Sequence, residues 1–176
     1  MPFNQNTTQN TVVYQTSELP IKAVLANDTA AHANNNNTIA TQSDFTFAVG
    51  KYERFIGELG VWYFAQQAKD FKYKINVPSG GTLNIARFGL PIDADSGGSG
   101  NEDKNIVQAV TATTGEIAVA TGDVGAGIGY LKFEFNIINA GTAGDFTFQW
   151  APNTAVDNAG YLVYLRAGSY LKYKRF

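Results

Sequence analysis

Apolar and polar residues alternate with period two along most of this chain. Three short runs share one form: Asp44-Phe45-Thr46-Phe47, Asp70-Phe71-Lys72-Tyr73 and Asp145-Phe146-Thr147-Phe148. Each opens with a turn-favouring acid and continues with aromatic side chains on one face, the pattern of a half-buried strand. The cleanest set is Phe71, Tyr73, Ile75 and Val77, with Lys72, Lys74 and Asn76 on the other face. Leu131, Phe133, Phe135 and Ile137 alternate in the same way with Lys132, Glu134 and Asn136. Similar local chemistry, more than duplication, accounts for the matching runs, because their surroundings differ.

The same reading predicts strands at Ile21–Leu25, within Ile39–Val49, and from Tyr52 to Phe64. In the last of these, Gly57 and Gly60 favour a bulge or a close backbone approach. Leu83, Ile85 and Arg87 carry on beyond the Pro78-Ser79-Gly80-Gly81 turn, and 106–120 restarts modest β-patterning. Phe146, Phe148 and Trp150 present one aromatic face, and 160–176 ends in a terminal strand after a turn at Ala167-Gly168. About eight strands at this spacing predict an all-β fold, an antiparallel two-sheet sandwich. A jelly roll is the preferred topology, and an immunoglobulin-like arrangement stays open. Residues 1–20 are rich in Asn, Gln and Thr, with a single apolar cluster at Val12-Val13-Tyr14, and read as an extended N-terminal arm or linker before a domain spanning 21–176.

Composition narrows the function. Aromatic residues are 13% of the chain and charged residues only 16%, so neutral polar side chains must cover much of the surface. Such a surface can meet neighbours with little desolvation of charge. The net charge of -2 without a basic block argues against a nucleic-acid partner. Lys172, Lys174 and Arg175 read as the charged face of a terminal strand. Cysteine is absent, which removes disulfides, thiolate metal sites and cysteine nucleophiles. Neither a signal peptide nor a membrane span is expected.

No catalytic constellation stands out, and the expectation is a protein that is not an enzyme. His32, the single histidine, lies in a polar stretch beside four consecutive Asn residues and reads as a solvent-facing loop residue. Glu53, Glu58, Glu134 and Asp145 are the acids near β-rich segments, and spacing gives no pair priority. The 93–103 loop carries several oxygen ligands, but Lys104 stands where an EF-hand needs its terminal acid, so a solvated loop is favoured over calcium. No metal, cofactor or catalytic residue is assigned. Trp62, Trp150, Tyr161 and Tyr164 are the possible platforms for a glycan, against a core or interface role for each.

A further pattern lies in the succession Leu25-Ala26-Asn27-Asp28-Thr29, Asp44-Phe45-Thr46-Phe47-Ala48-Val49 and the aromatic strand after Lys51-Tyr52. It continues in Asp70-Phe71-Lys72-Tyr73-Lys74-Ile75-Asn76-Val77-Pro78 and in Tyr164-Leu165-Arg166-Ala167-Gly168-Ser169-Tyr170-Leu171-Lys172. Together these resemble the β-rich structural domains of tailed bacteriophages, found among head-decoration (cement), head-fibre and tail-associated proteins. The resemblance spans 21–176 and rests on short motifs. It implies a virion protein on the outer surface of the head, made in the host cytoplasm, forming a homotrimer and bridging subunits of the major capsid protein. Val12, Val13 and Tyr14 are then the expected capsid or partner contacts. The alternative is a tail-fibre or receptor-binding domain that recognises host surface glycans.

Overall fold

A computed structural model describes residues 19–32, 36–66, 70–88, 117–119, 127–155 and 162–176. The arm with Val12, Val13 and Tyr14, the 93–103 loop and Tyr161 lie outside the described residues. Among the described residues there are ten strands: β1 (Ile21–Val24), β2 (Ala40–Val49), β3 (Arg54–Ala65), β4 (Phe71–Asn76), β5 (Thr82–Phe88), β6 (Ile117–Val119), β7 (Gly127–Ile138), β8 (Gly144–Pro152), β9 (Val163–Leu165) and β10 (Tyr170–Arg175). They form two antiparallel sheets, an all-β sandwich as expected. The larger sheet runs β1-β10-β3-β7-β5 with β9 paired to β3, and the smaller runs β2-β8-β4-β6. No helix among the described residues is long and apolar enough to cross a membrane.

Four antiparallel pairs are nested in the chain. β1 pairs with β10, β2 with β8, β3 with β7, and β4 with β6. The chain thus behaves as one long hairpin, folded over so that successive pairs fall in alternate sheets. β5 adds to the free side of β7, and β9 pairs with the end of β3.

The three Asp-Phe runs now have a shared reason. They are β2, β4 and β8, which lie side by side in the smaller sheet. Their rings, Phe45, Phe47, Phe71, Tyr73, Phe146 and Phe148, are all buried and make one inner face. Each such ring contributes about 2–3 kcal/mol of transfer free energy. Opposite them stand Leu59, Tyr63, Leu131, Phe133 and Phe135 of the larger sheet. Phe47 stacks on Tyr173 at 3.9 Å and on Phe146 at 4.8 Å, while Tyr73 meets Phe133 edge-on at 5.0 Å. Aromatic contacts of this kind join the two layers as well as neighbouring strands.

β3 and β7 pair without interruption from Arg54↔Ile138 to Ala65↔Gly127. The glycines of β3 therefore make no bulge towards β7, and serve the second expected purpose, close approach. Asn139 joins two turns at one end, donating through Nδ2 to Gly50 O at 2.6 Å and Thr142 O at 2.9 Å.

Candidate functional site

The two outer faces differ in chemistry. On the smaller sheet, Asn76 donates to Gln149 Oε1 at 2.8 Å, and Gln149 donates to Thr41 Oγ1 at 2.9 Å. This ladder crosses β4, β8 and β2 with neutral polar groups, which suits contact with water.

The outer face of the larger sheet is apolar at one end. β3 carries apolar residues at both parities, so Trp62 and Phe64 point away from the core that holds Val61, Tyr63 and Ala65. Trp62 is 41% exposed, Ile128 of β7 45% and Val24 of β1 51%. Tyr130 packs on Trp62 with centroids 4.5 Å apart, and Tyr164 stacks on Phe64 at 5.0 Å. Trp62 sits where the β9–β10 turn crosses beside β3. Its N–H donates to Ser169 Oγ at 2.9 Å, and its carbonyl accepts from Arg166 N at 2.9 Å. These two bonds hold the strand at the indole, so the exposed ring stands on a fixed backbone.

Next to this apolar end lies a closed charge network. Glu58, at the centre of β3, is only 5% exposed although it points outward. Lys132 Nζ lies 3.1 Å from Glu58 Oε2 and 2.9 Å from Glu134 Oε1, and Lys172 Nζ lies 3.7 Å from Glu58 Oε1. The Tyr170 hydroxyl donates to Glu58 Oε1, and the Tyr130 and Tyr170 hydroxyl oxygens are 3.2 Å apart. Gly60 makes this possible: the Tyr170 ring crosses it so closely that a β-carbon there would stand 2.4 Å from Cε1. Burial pushes the Glu58 pKa up, but the hydrogen bonds from Tyr170 and Lys132 and the charges of Lys132 and Lys172 outweigh it and leave the carboxyl below its ordinary range. Tyr170 shifts the other way, raised by burial and then by its bonds to Glu58 and Tyr130.

Of the acids singled out in the sequence, Glu58 and Glu134 face each other across β3 and β7. Lys132 bridges both, and its contacts help to hold Glu58 below its ordinary pKa, so Glu58 stays ionised. A glycosidase-type general acid requires the reverse, a carboxyl held protonated. Glu53 accepts from Gly50 N at 2.7 Å and from Arg175 at the opposite end of the sheet. Among the described residues no group of three or more His, Asp or Glu could hold a metal ion.

The glycan platform residues separate. Trp62 and Tyr164 come to the same outer face. Trp150 does not serve as a platform: β8 parity turns it inward with Phe146 and Phe148, it is 4% exposed, and its ring packs against Phe71 and His32. His32 likewise departs from a solvent-facing loop residue, since its ring meets Trp150 edge-on at 4.6 Å and its backbone N–H donates to Val163 O at 3.2 Å. It lines a shallow pocket of about 400 Å³ with Thr29, Gln42 and the edge of Trp150. There Thr29 Oγ1 already accepts from Leu165 N, and Gln42 bonds Asp44 and Trp150. Sequence reasoning missed Val24, Ile128, Tyr130 and Tyr170; the signal available was a strand, β3, apolar at both parities beside another, β7, that begins Gly127-Ile128-Gly129-Tyr130.

Comparison with protein-family models, with curated proteins and with solved structures gives no match to this chain.

Proposed function

We propose that this chain is a structural protein of a tailed-bacteriophage virion, which decorates the outside of the head and stabilises it by bridging major-capsid subunits. The observation that carries the reading is the rigidly backed apolar end of the larger sheet, with Val24, Trp62 and Ile128 exposed beside a self-neutralised charge network. A surface of that kind works by docking, since apolar area on fixed strands can be buried without leaving unpaired ions.

The nested strand pairs support a jelly-roll reading, with β5 and β9 as additions, and that architecture is common in viral shells. Fold analogy adds weight to the phage resemblance without replacing it. In this reading the protein is made in the host cytoplasm and acts on the head surface as a homotrimer. The arm, through Val12, Val13 and Tyr14, reaches a neighbouring capsid subunit, and multiple weak contacts reinforce one another. We read it as a binding protein rather than an enzyme, because Lys132 bridges Glu58 and Glu134 and Glu58 is held in its charged form.

The test adds purified protein to expanded, undecorated capsids and measures retention and the temperature at which the capsids open. Binding with a raised opening temperature is expected, and deletion of 1–20 should weaken both. Failure to bind while immobilised host glycans are retained would instead favour the receptor-binding reading, for which the exposed Trp62 ring is the specific observation.

A further inference from the structure

We propose that Arg87, Tyr63 and Tyr73 form a binding site for a small carboxylate between the two sheets, at the end of the sandwich where β4 begins and β5 ends. The site lies apart from the apolar outer face of the larger sheet, and the inference goes beyond the structural-protein reading.

Arg87 continues the inward parity of β5. Leu83 and Ile85 are core residues, and the arginine follows them opposite Phe133 of β7. It is half-buried. A guanidinium at a core-facing position is costly unless an anion answers it. Its Nη1 donates to the Tyr73 hydroxyl at 3.1 Å, a neutral acceptor, and no carboxylate among the described residues lies within ion-pair distance of it.

The second observation is Tyr63, fully buried with a hydroxyl that has no hydrogen-bond partner among the described residues. Its ring stacks on Phe71, which lies beside Tyr73 on the inner face of β4. The ring also crosses Gly129 of β7, where a built β-carbon would stand 2.3 Å from the hydroxyl oxygen. The phenol thus projects from β3 over β7, towards the side of the sheet that carries β5. Burial raises the pKa of both phenols, Tyr63 to about 12, and the charge of Arg87 opposes that rise on each. One guanidinium is therefore within electrostatic reach of both hydroxyls.

All three groups are donors with capacity left. Tyr73 spends a lone pair on Arg87 and keeps its proton, Tyr63 has its proton to give, and most N–H groups of the guanidinium remain. Donors without an acceptor select an oxyanion, and the planar fork of an arginine matches the two oxygens of a carboxylate. The charge of Asp70 also reaches Tyr63. It disfavours a doubly charged ligand, and so favours a carboxylate over a phosphate.

The experiment titrates acetate into the full chain at neutral pH and fixed ionic strength, reading the tyrosine difference spectrum and the melting temperature, with phosphate and chloride as comparison ions. Acetate is expected to give a saturating tyrosine signal and a melting temperature that rises with its concentration. Tyr63→Phe should weaken acetate binding about tenfold, the worth of a hydrogen bond to a charged group, and Arg87→Met at least as much. Arg54→Met, the same change of charge at the other end of the sandwich, should bind as wild type does. Should Arg87→Met misfold, Tyr63→Phe and Arg87→Lys, which keeps the charge and loses the fork, decide the matter. No saturating signal in wild type overturns the proposal, as does undiminished binding in folded Tyr63→Phe or Arg87→Lys, or an equal loss in Arg54→Met. Equal shifts from phosphate or chloride would mean an adventitious ion only, and also overturn it.

Discussion

Phe135 lies over the α-carbon of Gly57 on the neighbouring strand: a β-carbon at position 57 would stand 2.1 Å from the ring's Cζ and 2.7 Å from the carbonyl oxygen of Lys172. Tyr63 crosses Gly129 in the same pair of strands, with a built β-carbon 2.0 Å from Cζ. In both cases a large ring fills the space over a glycine facing it, an arrangement that compensates for glycine's poor strand propensity. The aromatic core can be this dense because β3 and β7 each give up one side chain to the other.

Gly57→Ala should therefore destabilise by about 2–3 kcal/mol, because the ring has no room to retreat and backbone closes the other side. Gly141→Ala is the control, where the nearest atom is the hydroxyl of exposed Tyr52 at 3.2 Å, and should stay within about 0.5 kcal/mol. Phe135→Leu should partly rescue Gly57→Ala, giving a coupling in a double-mutant cycle read by urea unfolding. Strict additivity would count against the ring as the obstacle.

Gly168 requires glycine for a different reason. It has φ +86° in the turn between β9 and β10, and no atom of the described residues lies within 4 Å of a built β-carbon. Gly168→Ala should cost about 1 kcal/mol through backbone strain alone. Unchanged stability would show that the turn relaxes to negative φ.

Strand positions were legible in the sequence because period-two patterning is local: the Asp-Phe runs mark the starts of β4 and β8 within a residue and fall inside β2. That these three lie together in one sheet was not, since pairing joins Phe47 to Phe146 and Tyr73 to Trp150 across the chain. Trp150 could have been placed inside from its parity with Phe146 and Phe148. Trp62 could not, because Ile56, Trp62 and Phe64 make β3 apolar at both parities. The burial of Glu58 was hidden for a related reason: the Tyr170 that crosses Gly60 to cover it comes from 112 residues away. His32 was misread because its polar neighbours describe the loop, whereas its ring answers to Trp150.

Glu58 predicts a pH dependence with a definite sign. Its folded pKa lies below the ordinary 4.5, so in that interval the folded state binds fewer protons than the unfolded chain. The stabilisation is complete above the unfolded value and is lost as pH falls through the lowered folded value. At neutral pH Glu58→Gln should cost about 1–3 kcal/mol, the worth of hydrogen bonds to a charged group. The difference from wild type should shrink between about pH 5 and about pH 3. Glu53 is also lowered, by its bond from Gly50 and then from Arg175, but it is common to both proteins and cancels in the comparison. A gap that stays constant through this interval would contradict the assignment.

Two buried tyrosines should respond oppositely to the loss of one oxygen atom. Tyr63 is 0% exposed, its ring stacks on Phe71 at 4.4 Å, and its hydroxyl has no hydrogen-bond partner among the described residues. Burial pushes its pKa up to about 12. An unsatisfied buried hydroxyl forfeits its hydration without compensation, so Tyr63→Phe should leave stability unchanged or raise it by about 1 kcal/mol. The Tyr73 hydroxyl instead accepts from Arg87 at 3.1 Å. Tyr73→Phe removes that acceptor and should cost about 1 kcal/mol. Urea unfolding of both variants reads the two signs directly. A substantial loss from Tyr63→Phe would mean that its hydroxyl is satisfied in solution, by a water molecule held between the sheets.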